Sequence, residues 1–337
     1  MPYALFQGGR RRRRRRGPAV LAVLALLAAG AAVAAVVLQL ERPGGADRTH
    51  APAEPIPPAP LQDSGTAPLA GGGTAPSPLA VRLDDPRDPV RIRFRRPPHS
   101  GLLFDLDTGR VLWRRDPTLV LPIASLTKIM TALVVADRVP PGAKVKVTRE
   151  ALHYQGSGVG LLPRGKWIGV KTMLYGLLLP SGNDAAIALA QRAAGTVRRF
   201  VALMNEKART LGLACTRFNT PSGFLDAGNH SCAGDLAAMA RALLREPRLA
   251  HIVARRKAVV RFPIKGGRLY LYNNNPLLQQ GYPGATGVKT GYTVAAGRCL
   301  VASARRGAVK LGVVLLHSPD PGRQAQQLLD RGFRVER

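Results

Sequence analysis

Acidic side chains are scarce in this chain. Of 337 residues only 20 are Asp or Glu, against 50 Lys or Arg, for a formal net charge of +30. Aromatic residues make up 5 %, few for a protein that stacks on bases, and no nucleic-acid-binding motif is present. Three cysteines are too few for a disulfide-dense scaffold. Cys215, Cys232 and Cys299 form no CxxC pair, which excludes a zinc ribbon and a thioredoxin motif. Six scattered histidines contain no HExxH, which removes that zinc-hydrolase pattern. What remains is a chain with 46 % apolar residues, normal for a globular protein. Its length suits one large or two ordinary domains.

The positive charge is unevenly placed. Arg10 to Arg16 are seven consecutive arginines, followed by twenty residues without a charge, Ala19 to Leu38. As a helix that run is long enough to cross a hydrocarbon core of roughly 30 Å, and the arginine cluster keeps its own flank in the cytoplasm. A membrane anchor is therefore expected at 19–38, with residues 1–18 cytoplasmic and the rest outside. A cleaved signal is the alternative. The run exceeds a usual signal core, but Ala32-Val33-Ala34 fits an A-x-A cleavage site. From 39 to 98 the composition shifts: thirteen of the 28 prolines fall here, with Gly71-Gly72-Gly73 in the middle. Such a stretch reads as a semi-extended spacer. Its last part, VRIRFRR, alternates apolar and basic residues and reads as a first strand or a basic collar.

Residues 99–337 are the expected folded domain. They hold 35 Lys or Arg and 13 Asp or Glu, a balance that steers anionic partners. For an exported domain an anionic envelope polymer fits that field and nucleic acid does not; an arginine-rich compositional habit explains it equally well. GLLFDLDTGRVLWRR reads as a β-hairpin turning at Asp107-Thr108-Gly109. SLTKIMTALVVADRV reads as a helix, and the run ending LLLPSGNDAAIALAQRAAG as two helices broken at Pro180-Ser181-Gly182. VRRFVALMNEKARTLGL and GDLAAMARALLREP are further helices. KAVVRFPI, RLYLYNNN, TGVKTGYT, CLVASARRG and VKLGVVLLH read as strands, and PGRQAQQLLDRGFR as a closing helix. Strands, a helical block and strands again imply an α+β fold, an antiparallel sheet covered by helices.

Three short motifs carry chemistry. In Ser125-Leu126-Thr127-Lys128, positions i and i+3 share a helix face, so the amine can reach the hydroxyl. The apolar neighbours Ile123, Leu126, Ile129 and Met130 would lower the lysine pKa and make Lys128 a base. A chain of this length holds about one chance S-x-x-K. In Ser181-Gly182-Asn183, a hydroxyl and an amide two residues apart can face one cleft, although a helix-capping turn needs the same residue types. In Lys289-Thr290-Gly291, alternation places Lys289 and Gly291 on one strand face, where a glycine lets a ligand lie flat along the strand. Taken alone, it is an exposed strand lysine.

Together, the order S-x-x-K, S-x-N, K-T-G resembles the penicillin-recognising serine acyl-transferases. ASLTKIMTA, LLLPSGNDAAIALA, NNNPLL and GVKTGYTVAAGRCLVASA are similar to the low-molecular-mass D-alanyl-D-alanine carboxypeptidases, over about 101–332. The resemblance implies a penicillin-binding-protein/β-lactamase-like transpeptidase fold: an antiparallel sheet flanked by helices, a helical subdomain and a cleft between them. It implies Ser125 as nucleophile, Lys128 as base and Ser181 as proton relay. Asn183, Lys289, Thr290, Gly291, Tyr292 and Thr293 would bind a peptidoglycan stem peptide, the N–H groups of Ser125 and Tyr292 forming the oxyanion hole. β-Lactam antibiotics would acylate the same serine. No metal or organic cofactor is implied. Some members carry a carboxylate-binding Arg before KTG, where this chain has Asn273-Asn274-Asn275. Some also carry a second domain and a C-terminal anchor. Here 46 residues follow Gly291, so the N-terminal span is expected to replace that anchor.

Rival readings use the same site. A class A β-lactamase needs a Glu to activate the deacylating water, and neither Glu150 nor Glu206 sits in an E-x-x-x-N setting. Endopeptidase cleavage of D-Ala cross-links is a second alternative, and a wall-binding protein with a silent site a third. Cys215 and Cys232 either pair or are buried thiols, and Cys299 reads as core. His153, His230 and His251 read as structural, Trp113 and Trp167 as packing residues.

Overall fold

The computed structural model describes residues 77–336 except Pro86 and 225–227. The basic terminus, the apolar run at 19–38 and most of the spacer lie outside the described residues. Among the described residues no helix is long and apolar enough to cross a membrane.

Strands β1 (Ser100–Asp105) and β2 (Val111–Arg115) form the expected hairpin. Asp105 Oδ1 closes its turn by accepting the N–H groups of Asp107 and Thr108. A 3-10 turn, Ala124–Thr127, leads into helix α1 (Lys128–Arg138). Lys128 to Val135 are all buried, as expected for a helix wrapped by others. Short strands β3 (Lys144–Lys146) and β4 (Trp167–Gly169) pair with each other. Helices α2 (Val170–Leu178) and α3 (Asn183–Ala194) follow, separated at Pro180-Ser181-Gly182. Next come α4 (Val197–Thr210) and α5 (Ala233–Arg245); α1 packs against all four of α2 to α5. Helix α6 (Pro247–Val253) was not separated in the sequence. Glu246 accepts the Arg248 N–H and Pro247 opens the helix, a Pro-first start that fits helix geometry.

Among the described residues, strands β5 (Lys257–Arg261) and β6 (Arg268–Tyr272) pair only with each other. The last strands are β7 (Ala285–Thr293), β8 (Gly297–Arg306) and β9 (Val309–Leu316), followed by α7 (Pro321–Val335). The main sheet runs β2-β1-β9-β8-β7, antiparallel throughout. Its two faces feed two cores. Leu102, Phe104, Val314 and Leu316 face the helical subdomain, while Leu103, Val313 and Leu315 face α7. A strand covered on both sides reads as an unbroken apolar run, as VKLGVVLL does. Helix α7 adds Leu328, Leu329 and Phe333 to the second core, each worth about 1.5–3 kcal/mol of burial.

Part of the stretch assigned to the spacer lies on the domain. Val81 and Val90 are buried, and Arg241 donates to the carbonyls of Leu79 and Ala80. VRIRFRR forms no strand; the Val90 N–H bonds the Leu112 carbonyl and Phe94 sits edge-on to Trp113 at 5.9 Å. Cys215 and Cys232 are joined, with Cα atoms 5.6 Å apart, and Cys299 is a buried thiol. Trp113 is buried, whereas Trp167 is 55 % exposed and not a packing residue.

Candidate active site

The nucleophile candidate sits at a junction. Ser125 lies in the 3-10 turn, and Lys128 is the first residue of α1. Ala124 holds φ 47, a left-handed conformation that costs a non-glycine residue about 1 kcal/mol or more. Two close approaches hold this turn in place. A Cβ on Gly291 would stand 2.9 Å from the Ile123 carbonyl and 3.3 Å from the Leu126 nitrogen, so only glycine lets β7 press against it. A Cβ on Gly223 would stand 2.0 Å from the Ala124 carbonyl. Besides lining the cleft, Gly291 is thus where the strand packs against the turn that carries Ser125.

Lys128 is fully buried. Its Nζ lies 2.9 Å from Ser125 Oγ, 2.6 Å from Asn183 Oδ1 and 2.8 Å from the Ser222 carbonyl. Burial, then the positive charge of Lys289, hold its pKa well below the usual lysine range; Asp184 opposes this. Lys289 is 1 % exposed, its Nζ 2.7 Å from the Thr290 carbonyl, and burial lowers its pKa to about 7. Lys289 is therefore not the exposed strand lysine that the tripeptide taken alone suggests.

Asn183 opens α3, and its Nδ2 donates to the Gln155 carbonyl at 2.5 Å. The neighbouring Asp184 accepts the N–H groups of Val159 and Gly160, pinning the loop opposite. Ser181 is buried, with φ 70, and among the described residues its Oγ has no hydrogen-bond partner. A buried hydroxyl left unpaired costs about 1–3 kcal/mol, so its position is not explained by folding alone.

Ser125, Ser181, Thr290, Gly291 and Tyr292 line one cleft of about 280 Å³. Thr293 instead sits at the turn into β8, where its Oγ1 accepts the Ala296 N–H. The Asn273-Asn274-Asn275 stretch is chiefly structural: Asn273 donates to the carbonyls of Val253 and Arg255, and Asn275 caps a short helix.

Sequence reasoning missed three contributors. Arg298 lines the cleft and forms no ion pair with a carboxylate among the described residues; its Nη1 lies 3.2 Å from the Pro319 carbonyl. It stands directly opposite Tyr292 in the β7–β8 register, so counting across the hairpin from KTG would have found it. Ser157 also lines the cleft, and Ser222 contributes only its carbonyl; neither has a sequence signal. The 215–232 disulfide closes the loop that carries Ser222. Cys215, Cys232 and Asp235 cluster as metal ligands would, but the two sulfurs are bonded to each other. Burial raises the Asp235 pKa against hydrogen bonds from Thr216 and the Cys215 N–H.

Known proteins are similar to this chain in sequence and fold. The chain is 36 % identical over 242 residues to a D-alanyl-D-alanine carboxypeptidase of Bacillus subtilis, covering 69 % of this chain and 61 % of that protein. It is 38 % identical over 245 residues to one from Mycobacterium tuberculosis, covering 70 % of this chain and 82 % of the relative. The solved structure of a Mycobacterium tuberculosis D-alanyl-D-alanine carboxypeptidase superposes with a TM-score of 0.68 at 37 % identity, over 73 % of this chain and 94 % of that one. Residues 97–320 match the peptidase family S11, described as D-alanyl-D-alanine carboxypeptidase, and the chain belongs to that family.

Proposed function

We propose that this protein is a serine-type D-Ala-D-Ala carboxypeptidase that trims peptidoglycan stem pentapeptides through an acyl-serine intermediate. The observation that carries the reading is the fully buried Lys128 amine 2.9 Å from Ser125 Oγ. An amine whose pKa burial has lowered can be neutral and accept the serine proton.

Ser125 Oγ attacks the carbonyl between the two terminal D-alanines, and its proton passes to Lys128. The N–H groups of Ser125 and Tyr292 stabilise the oxyanion, where loss of one donor costs about 3–4 kcal/mol. The C–N bond then breaks; Ser181 relays a proton to the leaving amine, and D-alanine departs. Water attacks the acyl-serine and frees the shortened peptide and Ser125. Asn183 holds the peptide backbone. Lys289, Thr290 and Arg298 face the terminal carboxylate, with Thr293 at the edge of this group. No step calls on a cofactor.

The remaining readings concern place and partners. Residues 19–38 hold the enzyme in the cell membrane as a single pass, with the catalytic domain outside, where its substrate lies. β-Lactams acylate Ser125 as substrate mimics, and anionic envelope polymers answer the positive field.

Intact mass after incubation with benzylpenicillin, beside Ser125→Ala, tests the nucleophile. One drug mass gained, and lost in the variant, is expected; no gain with the drug unchanged overturns the reading. D-Alanine release from a pentapeptide ending in D-Ala-D-Ala then tests the reaction. Cleavage only of cross-linked dimers would make the enzyme an endopeptidase, and hydrolysed drug without an adduct a β-lactamase.

A further inference from the structure

Away from the cleft, cations from four parts of the fold converge on one groove of about 700 Å³. Lys144 comes from β3, Lys171 from α2, Arg255 from the segment after α6, and Lys257 and Arg261 from β5. No Asp or Glu lines it. Among the described residues, none of these five side chains forms an ion pair with a carboxylate; the ion pairs all lie elsewhere. Five unpaired cations around a concavity focus a positive field far more than the same charges dispersed.

The wall of the groove continues into an aromatic face. In the β5–β6 register Lys257 stands opposite Tyr272 and Val259 opposite Tyr270, and directly opposed residues share a face. Tyr270 and Tyr272 are 58 % and 64 % exposed. Tyrosines left in water beside lysines and arginines offer flat surfaces for sugar rings and donors for anionic groups. A flat bilayer would meet a flat or convex patch; a groove suits a strand.

We propose that this groove binds a linear, sugar-containing polyanion, its phosphate or carboxylate groups held by Lys144, Lys171, Lys257 and Arg261. The assignment deepens the partner reading above and is independent of the catalytic one. A domain docked this way is held along an envelope polymer while its cleft stays open to stem peptides.

The test uses the full chain in detergent at 0.15 M NaCl. Binding of polygalacturonate and of long-chain inorganic polyphosphate is measured for wild type, for Lys257→Gln/Arg261→Gln, and for Arg198→Gln/Arg199→Gln. The second pair removes the same charge from exposed positions on α4. The groove variant should bind polygalacturonate at least ten-fold more weakly, and the α4 variant within two-fold of wild type. An equal loss for polyphosphate identifies phosphate as an accepted anion; a loss confined to polygalacturonate assigns the carboxylated sugar polymer. Equal weakening by both variants would show a bulk-charge effect and overturn the proposal. So would wild type that binds neither polymer; in that case weaker attachment of the groove variant than of the α4 variant to phosphatidylglycerol nanodiscs would reassign the face to the bilayer. Benzylpenicillin acylation, measured in parallel, reports the catalytic reading separately.

Discussion

Replacing Lys289 by Met should change how the fold responds to pH. A lysine whose pKa falls on folding binds fewer protons in the folded chain than in the unfolded one, so stability rises with pH between the two values. For Lys289 these are about 7 and the ordinary 10.5. Below the lower value both states are protonated and the cost of burying the charge is fully present. Each pH unit inside the window is worth about 1.4 kcal/mol. With half of the folded molecules still protonated at the start, the gain from pH 7 to pH 9 is about 2 kcal/mol. Met keeps the length of the side chain and removes the proton site. It also deprives the Thr290 carbonyl of its 2.7 Å donor, a loss of about 1 kcal/mol at any pH. Lys128 adds a slope of its own to both proteins. The charge of Lys289 lowers the Lys128 pKa, so the wild-type minus variant difference reads Lys289 together with its coupling to Lys128. Guanidinium unfolding at pH 7 and 9 without reductant, with free energies extrapolated from the midpoint and the slope, measures it. Wild type should gain about 2 kcal/mol more than Lys289→Met over that interval. Gains equal within 0.5 kcal/mol would refute the claim that burial, rather than a bound anion or compensating contact, governs this amine.

Gly291→Ala should destabilise the fold by about 1–3 kcal/mol, the usual cost of overpacking, and slow penicillin acylation at least 100-fold by shifting the serine turn; thermal melts and acylation kinetics on one sample check both. Cys215→Ser with Cys232→Ser should cost about 3 kcal/mol for a loop of 17 residues. A melting temperature unmoved by the substitutions or by reductant would show that this bridge adds nothing. Arg298→Gln should leave stability within 0.5 kcal/mol, as exposed sites usually do. It should nonetheless reduce kcat/KM about ten-fold on peptides with a free terminal carboxylate, and much less on their amides.

The layered fold was legible because each element keeps one period. The hairpin alternates, the helices repeat at three and four, and VKLGVVLL is apolar on both faces because both faces of β9 are covered. Alternation alone did not say which segments would join the main sheet. VRIRFRR has a strand pattern, yet only Val90 bonds β2, and the segment runs over the domain as a strap. KAVVRFPI and RLYLYNNN are strands, as read, and pair with each other outside the main sheet. Their outward residues Val259, Tyr270 and Tyr272 stay in water, which no pattern of apolar and polar letters distinguishes from burial.

The candidate site was legible in a different way. S-x-x-K states a spacing, and helical geometry turns that spacing into a 2.9 Å contact. Burial of Lys128 could be read from its apolar neighbours; the second lysine that depresses its pKa could not, because Lys289 lies 161 residues later. The same limit applies to Gly291. Its sequence context suggests room for a ligand, whereas the 2.9 Å from a Cβ placed there to the Ile123 carbonyl shows that strand and serine turn also meet at this residue. A fold that only sought stability would remove all of these features. It would replace two buried amines by apolar side chains, pair the Ser181 hydroxyl and relax Ala124 from its left-handed conformation. Their coincidence around the Ser125 turn and the cleft beside it, rather than their scatter through the chain, is the physical reason to read this region as the candidate active site.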